Sequence, residues 1–332
     1  MGRPMAPDMI PPAAAPDFLA SAGWAAAEIR PLAGDASFRR YFRVQADGRQ
    51  AVLMDAPPPH EDPRPFLAVA RHLTSLGFSA PRALAADLGR GLVLLEDFGD
   101  ARMREVVDAT PAVERPVYAD AVDLLATLHR HRAAPDLPPY GLAEYLREAA
   151  LFTEWYCPAA GLSVDEAAYS AAWTEVLAPI AEVRSVTVLR DYHAENIMLI
   201  DGRIGQQRLG LLDFQDALAG HPAYDLVSLL QDARRDVPPA LETEMRVRYA
   251  EAADPDPAFD RAYAVLGAQR NAKIIGIFTR LWRRDAKPRY LSLLPRVWGY
   301  LERDLDHPAL APVRAWFDRN VPADRRAGAV IA

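Results

Sequence analysis

Cysteine is almost missing from this chain, with Cys157 standing alone among 332 residues. One thiol closes no intrachain disulfide and builds no thiolate cluster for structural zinc, and such usage fits a reducing compartment. Long apolar runs are missing too, none approaching the roughly 20 residues that span a bilayer. There is no excess of positive charge: 38 Lys and Arg against 45 Asp and Glu leave a formal net charge of −7, so nothing advertises a nucleic-acid partner. The opening MGRPMAPDMIPPAAAP has no continuous apolar core of signal-peptide type, and Ala6 stands where a myristoylation signal needs Ser or Thr. Together these absences predict a soluble, cytoplasmic protein with no membrane and no nucleic-acid partner, and residues 1–16 as a disordered tail. What is plentiful is apolar: 51% hydrophobic residues suffice for one large domain or two lobes.

In order, the pattern opens with a short helix from Asp17. Strands are predicted over 27–31, Ser37–Val44, Ala51–Met54, Pro81–Ala86 and Gly91–Leu95, with a helix over Pro63–Leu76 ended by Gly77. Alternation along Ser37–Val44 places Phe38, Arg40, Phe42 and Val44 on one face and Arg39, Tyr41 and Arg43 on the other. Before that strand, the small residues Gly34, Asp35, Ala36 and Ser37 form a turn. Small residues let backbone N–H groups approach the phosphates of a nucleotide, although Gly34 is the one glycine there. Beyond residue 98 the pattern is mainly helical, with helices expected near 112–132, 142–156, 165–183, 222–234, 238–253, 258–284, 287–305 and 308–319. This divides the chain into a nucleotide-binding lobe, 17–97, and a helical lobe, 98–332. Leu95–Gly99, including Glu96 and Phe98, is the connection, whose backbone a nucleotide base can hydrogen-bond. The side chains of Glu96 and Asp97 read as a solvated turn.

The stretch Val186–Ala217, VTVLRDYHAENIMLIDGRIGQQRLGLLDFQDA, carries the chemistry. Two apolar runs, Val186–Leu189 and Leu209–Leu212, end in Asp191 and Asp213, and Asn196 follows Asp191 by five residues. Either aspartate alone is a residue type that caps turns. Together, Asp-x-x-x-x-Asn followed by Asp-Phe is the arrangement of kinase-like phosphotransferases: the first Asp accepts the proton of the attacking hydroxyl, while Asn and the second Asp hold Mg²⁺ on ATP. A hard cation takes one or two protein oxygens and completes its octahedron with phosphate and water, so base and metal ligands must be separate side chains.

Other polar residues read more plainly. His129 and His131 suit a helix C-terminus or core packing. Asp225 reads as a helix-start carboxylate, with bracing of the catalytic loop as the alternative. The basic run from Arg270 and Lys273 to Arg296 reads mostly as a solvated face, with Arg270 and Lys273 as candidates for an anionic group of the substrate. His193-x-Glu195 lacks the Pro-Cys-x-x-Cys that would make it a zinc-deaminase signature, leaving His193 as a loop brace.

These motifs, LLEDFGD (94–100), LLATLHRH (124–131), LRDYHAEN (189–196), LLDFQDA (211–217) and AYDLVSLL (223–230), resemble the aminoglycoside phosphotransferase and choline kinase superfamily. GDASFRRYFRV (34–44), VLMDAPP (52–58) and QRNAKIIGIFTRLWRRDAKPRY (269–290) are most similar to its branch of amino-sugar kinases. That branch acts on the anomeric hydroxyl of N-acetylmuramate and N-acetylglucosamine in cell-wall recycling. The resemblance implies an α+β, bilobal protein-kinase-like fold, with a small N-terminal antiparallel sheet lobe and a larger, mostly helical C-terminal lobe. It implies Asp191 as catalytic base, Asn196 and Asp213 as Mg²⁺ ligands, Gly34–Ser37 over the phosphates, ATP as donor and a small-molecule sugar as partner. Two departures stand out. Arg190 occupies the usual His position, and Met54 that of the third-strand lysine that grips the α/β-phosphates. The following helix has no acidic residue to pair with such a lysine, and Arg40 or Arg43 is expected to supply the charge instead. A kinase for another hydroxylated small molecule, or a nucleotide-binding pseudokinase, are the rival readings.

Overall fold

Runs of alternating or continuous apolar residues become five strands: β1 (Glu28–Pro31), β2 (Arg40–Ala46), β3 (Arg49–Asp55), β4 (Ala83–Asp87) and β5 (Leu92–Glu96). They form one antiparallel sheet in the order β1-β2-β3-β5-β4. The structure is a computed structural model that describes residues 10–32 and 39–326. The phosphate-covering turn expected at Gly34, Asp35, Ala36 and Ser37 lies outside the described residues.

Register decides which side chains share a face. Phe42 opposes Leu53 and Val44 opposes Ala51, and these four pack with Leu92 and Leu94 against α1 (Ala15–Ser21) and Trp24. Tyr41 opposes Met54, and Arg43 opposes Val52, on the other face. Helix α1 begins at Ala15 with Pro16 in its first turn, where a missing N–H costs nothing. The described end of the expected tail is therefore part of the fold. Ala15 is fully buried, and the carbonyl of Ile10 accepts from Arg40 at 3.2 Å.

Helix α2 (Arg64–Ser75) buries Phe66, Val69, Ala70 and Leu73, one stripe at i, i+3, i+4 and i+7. It stops where Gly77 takes φ +87°, with Gly77 N–H donating to Thr74 O and Phe78 N–H to Leu73 O, a left-handed C-terminal cap.

Chain contacts divide the molecule into two compact units, Met1–Val106 with Glu195–Asp216, and Val107–Ala194 with Ala217–Ala332. The return of Glu195–Asp216 to the first unit is not contained in a division at residues 97/98. That return forms the antiparallel pair β7 (Ile197–Leu199) and β8 (Leu209–Leu211), tied on by Leu211 N–H donating to Ser79 O at 2.8 Å. Gly210 is required here, since a Cβ would sit 2.5 Å from the ring of Phe98.

The second unit is helical apart from the pair β6 (Val186–Val188) and β9 (Leu218–Gly220). Helix α3 (Met103–Ala109) leads into it, followed by α4 (Glu114–Leu128) and α5 (Leu142–Ala149), then a wide turn at Phe152–Tyr156 before α6 (Cys157–Ala159). The others are α7 (Glu166–Ala181), α8 (Ala223–Leu230), α9 (Pro239–Ala253), α10 (Phe259–Arg283), α11 (Leu294–Leu305) and α12 (Ala311–Asn320). Helix α10 is the central one, buried along most of its 25 residues. Phe152, Tyr169, Trp298, Trp316 and Phe317 interlock edge-to-face or tilted beside it. Among the described residues no helix is long and apolar enough to cross a membrane.

Candidate active site

In the first unit, the β7–β8 register determines what meets at its open end. Ile197 opposes Leu211, and Leu212 N–H donates to the carbonyl of Asn196 at 3.0 Å, so the residues flanking the two strands are neighbours. Asn196 Nδ2 thereby lies 3.4 Å from Asp213 Oδ2. Asp213 adopts φ +58°, a left-handed conformation that Asp tolerates better than most residues. The next residue anchors it: Phe214 is fully buried and stacks on Phe66 at 4.9 Å. The Asp213 side chain stays half exposed. Gln215, which the sequence reading missed, donates to Asp213 Oδ1 at 2.9 Å. One carboxylate and one amide are a donor set that fits Mg²⁺, because that ion keeps most of its shell for phosphate and water. A half-turn of the Asn196 amide presents its oxygen to the same point. Glu195 is committed elsewhere, paired with Arg104.

In the second unit, Asp191 follows β6 in a tight turn, with its N–H donating to Leu189 O and its carbonyl accepting from His193 N–H. Asp225, fully buried near the start of α8, accepts from Leu189 N–H at 2.7 Å and Arg190 N–H at 2.9 Å. Asp225 does stand in the first turn of α8, and the alternative reading of it as a loop brace also holds: its two oxygens accept from the backbone of the loop that carries Asp191. Arg190 takes φ +70°, and its carbonyl accepts from Ser228 Oγ at 3.2 Å, which in turn accepts from Arg270 at 2.8 Å. Tyr192 donates its hydroxyl to Ala121 O at 2.8 Å, and His193 lies 3.3 Å from Arg234. His129 contacts the Tyr249 hydroxyl at 2.8 Å and packs inside, as expected.

A buried charge cluster lies against this loop. Glu148 contacts Arg190, accepts from Lys273 at 2.9 Å and takes the Tyr140 hydroxyl at 2.5 Å. Burial alone would push this carboxyl up, but Lys273, Arg190 and the Tyr140 hydroxyl together hold it down at about 2. Burial opposes the charge on Lys273, while Tyr224 and Glu148 raise its pKa above the ordinary lysine value. The expected solvated face is therefore wrong for the first turns of the basic run. Arg270 is only 3% exposed and props the back of the loop through Ser228, so it is not placed to meet a substrate. Lys273 retains 13% side-chain exposure beside Glu148.

The remaining expected residues are brought elsewhere. Arg40 donates to Asp55 at 2.5 and 2.9 Å on the α1 face of the sheet, opposite to Met54, because β2 alternates. That placement corrects its assignment to the nucleotide. Arg43 is on the Met54 face but is bound to Asp97 at 2.7 Å, Gly99 O at 3.2 Å and Asp100 at 2.9 Å. Glu96 bridges Arg203 at 2.5 Å and Arg82 at 3.1 Å, and Asp97 is nearly buried, so neither is a solvated turn residue. The Phe98 ring packs on Gly210 beneath the guanidinium of Arg203. The side chains of Glu96 and Phe98 hold the connection in shape, leaving its backbone as the part suited to a ligand.

Comparison with known proteins identifies the family. The model of the phosphotransferase enzyme family matches residues 28–264. The N-acetylmuramate/N-acetylglucosamine kinase of Caulobacter vibrioides is 39% identical, over 93% of this chain and 96% of its own length. The kinase of the same name from Pseudomonas aeruginosa is 39% identical over 86% of this chain and 87% of its own. Among solved structures, choline kinase from Streptococcus pneumoniae superposes with a TM-score of 0.60 at 12% identity, covering 86% of this chain and 93% of that one. Spectinomycin phosphotransferase in complex with ADP and spectinomycin also gives 0.60, at 11% identity, covering 93% and 99%. These likenesses carry the kinase-like α+β fold, the family match takes in both Asp191 and the Asn196–Asp213 pair, and the chain belongs to the phosphotransferase enzyme family as a small-molecule kinase.

Proposed function

We propose that this kinase transfers the γ-phosphate of ATP to the anomeric hydroxyl of N-acetylmuramate and N-acetylglucosamine, a reaction of cell-wall recycling in the cytoplasm. The observation that carries the reading is kinship along nearly the whole chain, at 39% identity, with kinases named for those two sugars. ATP as donor is supported by the ADP in the complex of the spectinomycin enzyme.

Asp191 orients the sugar hydroxyl and takes its proton as the oxygen attacks. Asp225 keeps that carboxylate aimed by holding the two preceding backbone N–H groups. Asn196 and Asp213 would hold Mg²⁺, which neutralises charge on the phosphates when bound. Loop residues fixed by buried partners favour positioning, the main lever in phosphoryl transfer. Arg190 and Lys273 are two cations around the single carboxylate of Glu148, a setting that favours an acceptor with a carboxylate of its own. N-acetylmuramate has one on its lactyl group, and Lys273 is the residue we assign to it.

The test is ³¹P NMR of the protein with Mg-ATP and each sugar, beside Asp191→Asn. A sugar-1-phosphate signal that the variant fails to produce supports the reading. A 6-phosphate overturns the anomeric assignment, and phosphate appearing only on a different hydroxylated acceptor overturns the amino-sugar one.

A further inference from the structure

Position 54 carries a fully buried methionine where related kinases place a phosphate-gripping lysine, and α2 has no acidic residue to pair with one. The sheet register shows where a replacement charge must come from. Side chains directly opposite in an antiparallel pair share a face, so Tyr41 lies on the Met54 side, and Arg39, two residues earlier, follows it by alternation. Arg40 is excluded by its face and Arg43 by its three partners at the connection.

Arg39 meets the requirements that those two fail. Its guanidinium lies 3.6 Å from the Glu61 carboxylate and 4.0 Å from that of Asp213, with 11% side-chain exposure. Glu61 stands just ahead of α2, so a cation from β2 and an anion from the approach to α2 replace the missing members of the strand-and-helix pair together. Tyr41 belongs to the same group: burial pushes its hydroxyl up to about 12, Arg39 draws it down, and Asp213 and Glu61 oppose Arg39. Every member lies within the first unit. A guanidinium is a planar fork of donors that matches phosphate oxygens, and one steadied by a carboxylate beside a metal-binding aspartate is oriented for such an anion.

We infer that Arg39, positioned by Glu61, binds the phosphates of the nucleotide in place of the absent strand lysine. The inference rests on the nucleotide reading above and deepens it. Isothermal titration with Mg-ADP and, separately, with adenosine tests it on the full chain, because adenosine reports the base and ribose without phosphates. Arg39→Met weakens Mg-ADP about tenfold or more, the value of a charge-assisted contact, and leaves adenosine within about twofold. Arg39→Lys keeps the charge and recovers most of that loss. Glu61→Gln, which leaves the cation but removes the charge of its nearer carboxylate, weakens Mg-ADP about threefold with adenosine unchanged, and stands in if Arg39→Met fails to fold. Unaltered Mg-ADP affinity in Arg39→Met overturns the assignment, as does an equal loss of ADP and adenosine, which would mean a structural role. Wild-type protein that binds no ADP overturns the nucleotide reading itself, and this inference with it.

Discussion

Asp191 and Asp225, thirty-four positions apart, are two carboxylates that meet at one loop, and the proposed function gives them different parts. Asp225 gives both oxygens to buried N–H groups of Leu189 and Arg190, and so fixes the backbone immediately before Asp191. A carboxylate used this way is committed to holding backbone, and Asp191 sits in the turn that it holds. For Asp191→Asn, the expected outcome is a fall in kcat of about 10² to 10⁴, the range of a lost general base, with nucleotide affinity within about twofold. Steady-state kinetics beside titration calorimetry separates the two effects. Asp225→Ala strands two donors in the core, so it lowers stability by about 1–3 kcal/mol for each. Chemical denaturation reads that loss, and kcat falls with it because Asp191 is no longer aimed. The role proposed for Asp191 comes from spacing, since Asp-x-x-x-x-Asn is a local pattern. The role of Asp225 does not, because its partners lie 35 and 36 positions upstream and only the fold brings them near.

At the scale of the element, α10 decides most of what charge does in the second unit. Its basic run looks solvent-facing from composition, but a 25-residue helix at the centre of a helical unit buries its polar side chains too. The existence of the five strands, though not their ends, α2 with its glycine stop, and the parity of Arg39, Arg40 and Arg43 were readable from periodicity. Which face of β2 packs on α1 depends on residues around Phe18 and Trp24, and periodicity carries no such information. Two predictions belong here. Glu148→Gln leaves Arg190 and Lys273 as buried cations without their carboxylate, and the cost is about 3–5 kcal/mol by denaturant unfolding. Asp304, at the end of α11, is buried against Gln231 and Asn271 and sits over Gly267 of α10. Burial raises its carboxyl to about 8, although Gln231 and Arg303 pull the other way. The folded state thus holds a proton that the unfolded chain releases near pH 4. The stability from Asp304 is full below about pH 4 and is lost as pH rises toward about 8. Asp304→Asn removes this slope, so the melting temperature of the variant relative to wild type rises between pH 5 and pH 8. A difference that stays constant across that range rejects the buried neutral carboxyl.

For the whole molecule, the scarcity of cysteine offers a way to watch the helical unit come apart. With one thiol in 332 residues, no intrachain disulfide contributes to stability, which rests on packing. Cys157 is buried directly after the wide turn at Phe152–Tyr156, whose aromatic rings pack on Trp298 of α11 and on Trp316 and Phe317 of α12. Burial, and secondarily the nearby Glu166, pushes its thiol up to about 12. The thiolate is the reactive form, and an exposed cysteine titrates near pH 8.5. At pH 8 the native protein therefore holds a thiolate fraction about a thousandfold or more below that of the unfolded chain, and the reagent must also reach a covered sulfur. Labelling with a chromogenic disulfide is expected to be slow in native buffer and to accelerate along the same denaturant curve as loss of helical circular dichroism. The single label thereby reads the opening of the unit that contains Asp191. Rapid native labelling at pH 8 would mean that the Phe152–Cys157 segment opens locally, ahead of the helices around it. Added reductant should leave the melting temperature unchanged, because there is no bond for it to break.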